Sequence, residues 1–247
     1  MAPPVIVVDG ASKQFYHYTH RPTSLQQAVL RAFRGDRAPQ TAPHFDLQPL
    51  SLTVTRGEAV AIVGHNGSGK STLLRLMAGV YPPSTGRVDV AGRVVAVLEL
   101  GAAFQPELTG TENAELYAAT LGMPRPELRR RLPQLLAFAG TEEFADVPLK
   151  YYSSGMRSRL AFAVATHVDG DTLLLDEVLA VGDAEFRSRC LATLAAHRAA
   201  GGTMVVVSHD TEAISALCTR GVWMSHGAVR ADGPIAEVLA AYQGDAH

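Results

Sequence analysis

The run Gly64-His65-Asn66-Gly67-Ser68-Gly69-Lys70-Ser71, continued by Thr72, has the spacing Gly-x-x-x-x-Gly-Lys-Ser. Glycines at this spacing let backbone N–H groups converge on phosphate oxygens, and a helix starting at the loop adds the positive end of its dipole. Lys70 would then reach the β and γ phosphates of a nucleotide, and the Ser71 hydroxyl would ligate Mg²⁺. Hydrolysis also needs a second carboxylate for the metal and a base for the attacking water. Asp176-Glu177 supplies both, with Asp176 acting on Mg²⁺ through water and Glu177 polarising the water that attacks the γ-phosphate. His209, one of nine histidines, is singled out only by its place relative to these motifs, where a neutral imidazole would contact the γ-phosphate or that water.

These groups must be held by particular elements. Ala59-Val60-Ala61-Ile62-Val63 reads as a buried strand entering the glycine-rich loop, and Thr72 to Ala78 reads as the helix leaving it, stopped at Gly79. Apolar strands at 172–175 and 204–207 end on Asp176-Glu177 and on Ser208-His209-Asp210, and Val5-Ile6-Val7-Val8 gives another. Open α/β sheets carry their chemistry at such carboxyl ends. Between Leu98 and Asp169 the chain turns helical, punctuated by Pro106, Pro124, Pro126, Pro133 and Pro148. From His17 to His44 the first strand pattern is interrupted, and Leu25, Val29, Leu30 and Phe33 at helical spacing predict an amphipathic helix inside an insertion.

Composition narrows the class. Lys+Arg 22 against Asp+Glu 24 gives a formal charge of -2, so no bulk attraction to nucleic acid or acidic lipid is expected. Cys190 and Cys218 lie far apart in the chain and predict neither a disulfide framework nor a zinc site, which fits a reducing cytosol. No stretch approaches the roughly 18 apolar residues of a membrane span, and Met1-Ala2-Pro3-Pro4 does not open a leader peptide. Any membrane role is therefore expected to run through a partner.

At Tyr152-Ser153-Ser154-Gly155-Met156, ahead of Asp176-Glu177, the motif set resembles the nucleotide-binding domain of ABC transporters. The resemblance runs from Lys13-Gln14-Phe15 to Gly221-Val222-Trp223-Met224. It implies an α/β P-loop NTPase fold, with a mixed sheet around the P-loop helix and an inserted helical subdomain. The core would be residues 1–97 and 169–233 with an antiparallel β part, the insertion 17–44, the helical subdomain 98–168, and a C-terminal helix and tail 234–247. It further implies that Ser153, Ser154 and Gly155 act on ATP held by a second copy's P-loop, in a head-to-tail homodimer. Asp183 matches the dimer-contact aspartate, and Phe15 falls where the family stacks an aromatic ring on adenine, with Tyr16 or Tyr18 as alternatives. A plain helix cap is the competing account of Ser153.

Two stretches, 98–113 and 152–163, most resemble the subunits that export O-antigen, galactan, capsule or teichoic acid. That implies a membrane-spanning permease as partner, a lipid-linked glycan as cargo, ATP and Mg²⁺ as substrate and cofactor, and a place on the cytoplasmic face of the membrane. Because some such subunits carry a further carbohydrate-binding domain and this chain ends at His247, recognition of glycan ends by this subunit is not expected. The pattern departs from the family at Leu100, where most members have a metal-sensing glutamine; Glu99 and Gln105 are candidates to replace it. Uptake and non-transport ABC ATPases remain alternative readings.

Overall fold

A computed structural model of the chain describes residues 2–16, 43–179 and 182–245. The predicted amphipathic helix at Leu25 to Phe33, and Tyr18, lie outside the described residues.

Two sheets carry the fold. The larger contains β3 (Ala59–Val63), β5 (Val94–Val97), β6 (Thr172–Asp176), β7 (Thr203–Val207), β8 (Arg220–Ser225) and β9 (Ala228–Pro234), in the order β5-β6-β7-β3-β8-β9. All its pairings are parallel except the last, the β8–β9 hairpin. Strands β3, β6 and β7 are buried at every residue. That is what their unbroken apolar runs require, since central parallel strands are covered on both faces. The β8–β9 turn uses His226 and Gly227, both at positive φ, the twist a two-residue hairpin needs.

The smaller sheet is antiparallel, with β1 (Pro4–Tyr16) between β2 (Pro43–Thr55) and β4 (Thr85–Val90). The helix α1 (Lys70–Met77) lies between the two sheets. Leu73, Leu74 and Met77 share one core with Ile6, Val8, Leu52 and Val54 on the small sheet and with Ile62, Val205 and Val222 on the large one. Full burial of such side chains contributes about 1.5–3 kcal/mol each, so the loop preceding α1 hangs from a helix anchored on both sheets.

The opposite face of the large sheet is covered by α2 (Gly110–Thr120), α3 (Arg125–Ala139), α4 (Ser154–Thr166) and α5 (Ala184–Ala199), around Leu135, Leu160, Phe162 and Phe186. The helices α6 (Thr211–Leu217) and α7 (Ile235–Asp245) follow β7 and β9. Two 3-10 turns, Glu142–Phe144 and Leu149–Tyr151, join α3 to α4. One expectation is corrected here: Pro133 does not punctuate the helical region but sits inside α3. Proline removes one intrahelical hydrogen bond, and the burial of Leu128, Leu135 and Leu136 on either side outweighs that loss. The helix ends instead at Gly140, whose φ of 64° is left-handed.

Candidate functional site

Strand β3 delivers the chain to Gly64 at the carboxyl edge of the sheet. Gly64 has φ 150°, and a Cβ there would stand 2.2 Å from the carbonyl oxygen of Met224 and 2.7 Å from Ser68 Oγ. Glycine is therefore demanded by contact with β8, 160 residues downstream. Gly67 and Gly69 also have positive φ, 79° and 104°. The loop they shape is pinned from β8–β9, where the Gly227 N–H donates to the Ser68 carbonyl at 3.1 Å.

Lys70 opens α1 and is buried. Its ammonium donates back into the loop, to the carbonyls of Gly64 at 2.7 Å and His65 at 3.0 Å. Burial pulls its pKa below the ordinary lysine value, against the opposing pull of the Glu177 and Asp176 carboxylates. All three predicted charges therefore share one electrostatic field.

A cavity of about 570 Å³ runs from Asn66, Lys70, Ser71 and Thr72 to Glu177 and His209. Asp176 ends β6 and is 8% exposed, and its Oδ1 has no hydrogen-bond partner. Ser68 Oγ is likewise buried and unpartnered. Buried polar atoms left unsatisfied cost about 1–3 kcal/mol each, and these two stand at the carboxyl end of β6 and within the glycine loop. Glu177 stands at φ 55°, an uncommon conformation for a side chain other than glycine. Its carboxylate Oε1 lies 3.2 Å from Nε2 of His209.

The remaining predicted residues lie away from this cavity. Ser153, Ser154 and Gly155 begin α4, with the Ser153 hydroxyl accepting from the Met156 N–H at 3.1 Å. The helix-cap account of Ser153 thus describes its local role. Asp183 caps α5 by accepting from the Phe186 N–H at 2.8 Å, and its carboxylate faces Arg159 of α4 at 3.8 Å. Phe15 stands on β1 with its ring 5.4 Å from that of Tyr81, and the Lys13 ammonium lies 5.6 Å from both ring centres. Glu99 and Gln105 are exposed, while Leu100 packs on the core. No group of three or more His, Cys, Asp or Glu side chains gathers as metal ligands among the described residues.

Residues 47–180 match the family described as ABC transporter. The chain belongs to the ABC transporter family. It is 42% identical over 241 residues to the O-antigen export system ATP-binding protein RfbB of Myxococcus xanthus, covering 96% of this chain and 55% of that one. The protein of the same name from Klebsiella pneumoniae is 38% identical over 240 residues, covering 97% and 98%. The teichoic acids export ATP-binding protein TagH of Bacillus cereus is 37% identical over 200 residues, so this chain spans 36% of its length. Among solved structures, an ATP binding subunit of an ABC transporter superposes with TM-score 0.75 at 21% identity, covering 97% of this chain and 93% of that one. A dimeric ATP-binding cassette in a post-hydrolysis state, bound to ADP and Pi, gives 0.71 at 22%, covering 93% and 98%. Both share its fold.

Several groups that support the site in this ABC ATPase carry no local motif. His65 of the loop packs against Tyr242 of α7, ring centres 5.3 Å apart, and Tyr242 in turn packs against Trp223 of β8 at 6.2 Å. Asn113 is fully buried, and its side-chain amide donates to the carbonyls of Gln105, Leu108 and Thr109 while its oxygen accepts from the Gln105 N–H. That one side chain ties down the loop leading into α2. Asn113 ends the stretch 98–113 named from the sequence, which gives its position but not this role.

Proposed function

We propose that this chain is the ATP-hydrolysing subunit of an ABC transporter that exports a lipid-linked glycan of the O-antigen, galactan, capsule or teichoic-acid type. The observation that carries the reading is the convergence of Lys70, Glu177 and His209 on one cavity beside the glycine loop, with the Asp176 carboxylate close enough to act on the Lys70 charge. The export assignment is supported by the names of relatives that cover nearly the whole chain.

In this reading Gly64 to Thr72 bind the phosphates, with Lys70 leaving the Gly64 and His65 carbonyls for phosphate oxygens. The orphaned Oδ1 of Asp176 suits a water-bridged Mg²⁺, and Ser71 would be its direct ligand, with Glu99 or Gln105 as further candidates. The ion would neutralise charge on the phosphates. Glu177 orients and deprotonates water, and His209 holds that carboxylate and contacts the γ-phosphate. Phe15 stacks on adenine.

Among the described residues, one chain's cavity is walled by its own loop, Glu177 and His209, and α4 opens elsewhere. The second wall is therefore assigned to a second copy, with Ser153, Ser154 and Gly155 facing its γ-phosphate and Asp183 at the dimer contact. A core of 1–97 and 169–233, a helical part of 98–168 and a C-terminal segment of 234–247 would move as units in that cycle. Among the described residues no helix is long and apolar enough to cross a membrane. The proposed partner is a membrane-spanning permease that holds this chain at the cytoplasmic face of the membrane, with no nucleic acid involved.

Two measurements test this. Phosphate release from ATP with Mg²⁺ is expected in the wild type and not in Lys70→Ala; equal rates would overturn the site. Inactivating the gene in its own host is expected to leave lipid-linked glycan trapped inside the cell; normal surface glycan would overturn the export assignment.

A further inference from the structure

His209 is bracketed by two fixed neighbours. On one side the Asp210 N–H donates to Ser208 Oγ at 3.1 Å, closing a turn across the backbone of His209. On the other, Asp210 Oδ1 accepts from the Ala213 N–H at 3.0 Å and caps α6. The second carboxylate oxygen, Oδ2, is shielded from solvent and is met by the guanidinium of Arg187. Only 15% of the Asp210 side chain is exposed.

Arg187 belongs to the first turn of α5, where its N–H donates to the Asp183 carbonyl at 2.9 Å. Asp183 also faces Arg159 of α4 through its carboxylate, and α4 is the helix that Ser153 caps. Alternating charges, Arg159, Asp183, Arg187 and Asp210, therefore run from the Ser153 helix across α5 to the residue beside His209. A surface ion pair contributes little on its own. This one differs because breaking it strands a largely buried carboxylate next to the residue that meets Glu177.

We infer that Arg187 and Asp210 form a positioning pair that sets His209 against Glu177 and reports the placement of Asp183 to the hydrolytic centre. The inference rests on the reading of Glu177 and His209 given above. Neither Arg187 nor Asp210 touches the reacting atoms. Their role is to fix the turn 208–210, so that displacement of α5 at Asp183 moves His209 in or out of register.

Asp210→Asn separates the two jobs of the aspartate, because asparagine retains a capping oxygen and loses the charge. Steady-state ATP hydrolysis and nucleotide affinity are measured for the full chain carrying Asp210→Asn, Arg187→Gln, both together, and Arg187→Lys. Each of the first two is expected to lower kcat by about tenfold with unchanged KM and ATP affinity, the scale of coupling within one charged network. The double variant is expected to fall no further, and Arg187→Lys to recover most of the rate. An unchanged kcat in both single variants, independent additive losses, or a loss of ATP affinity equal to the loss of rate would each overturn the inference. His209→Ala separates its failure from failure of the site: if that variant keeps full kcat, the reading of the site falls, and if it loses turnover while Asp210→Asn does not, the positioning pair alone falls.

Discussion

The Glu177 N–H donates to the carbonyl of Val207 at 2.9 Å, joining the end of β6 to the end of β7. Just past this bond the chain turns at Glu177 with φ 55°, and its carboxylate lies against His209, two residues past Val207. The conformation costs about 1–2 kcal/mol for a residue with a Cβ, so stability is given up at this position for geometry. Glu177→Gly is accordingly predicted to leave unfolding free energy unchanged within about 1 kcal/mol or to raise it, since glycine's extra unfolded-state entropy offsets part of the relief. Denaturant melts check the stability, and phosphate release should fall to background in the same sample.

Gly64→Ala is predicted to be more damaging than substitution elsewhere in the loop. Its Cβ would meet the Met224 carbonyl at 2.2 Å, a backbone atom held in β8, and neither strand can give way. A loss of about 1–3 kcal/mol is expected for overpacking of this kind. Gly67, whose added Cβ would meet nothing within 4 Å, provides the comparison: its alanine variant bears only the strain of φ 79°. Chemical denaturation of the two variants should rank them in that order.

Asn113→Ala removes a fully buried side chain that accepts from the Gln105 N–H and adds a donor to the carbonyls of Gln105, Leu108 and Thr109, which already accept from the backbone N–H groups of Leu108, Leu149 and Asn113. One donor left unpaired costs about 1–3 kcal/mol where water cannot reach it. A loss within about that range is expected, with faster amide exchange at Gln105.

The two buried thiols set a pH dependence. Burial pushes Cys190 and Cys218 up to about 12, whereas an unfolded thiol titrates near 8.5. Between those values the unfolded chain releases protons that the native one retains, so ν_U is smaller than ν_N and stability falls as pH rises. The contribution is whole below about 8.5 and disappears progressively toward 12. Urea midpoints should decline from pH 8 to pH 10, and Cys190→Ala with Cys218→Ala should flatten that decline. A thiol reagent at pH 8 should leave both cysteines unmodified until the protein is unfolded.

Much of this was legible in the sequence because it is local. The unbroken apolar runs at 59–63, 172–175 and 204–207 became the fully buried parallel strands β3, β6 and β7, and Gly64 to Ser71 became the loop between β3 and α1. Glu177 and His209 were named from position after such strands, and the β6–β7 pairing brings them together. Other features depend on pairing across long sequence distances and leave no local trace: Met224 against Gly64, Tyr242 against His65, Arg187 against Asp210. Pro133 misled because proline's local penalty was read without the buried leucines around it. Phe15 was placed by resemblance alone, and its contact with Tyr81 and Lys13 was not foreseeable from spacing.

Glu177 is the proposed base in a site completed by a second copy. Its most direct test is the Glu177→Gln variant with ATP and Mg²⁺, observed by light scattering and phosphate release together. The amide keeps the shape of the side chain and removes the base, and loss of a general base reduces turnover by about 10²–10⁴-fold. The predicted result is turnover reduced to that extent, with ATP still bound and the protein accumulating as a dimer. Undiminished hydrolysis by Glu177→Gln, or an ATP-bound species that stays monomeric, would contradict it.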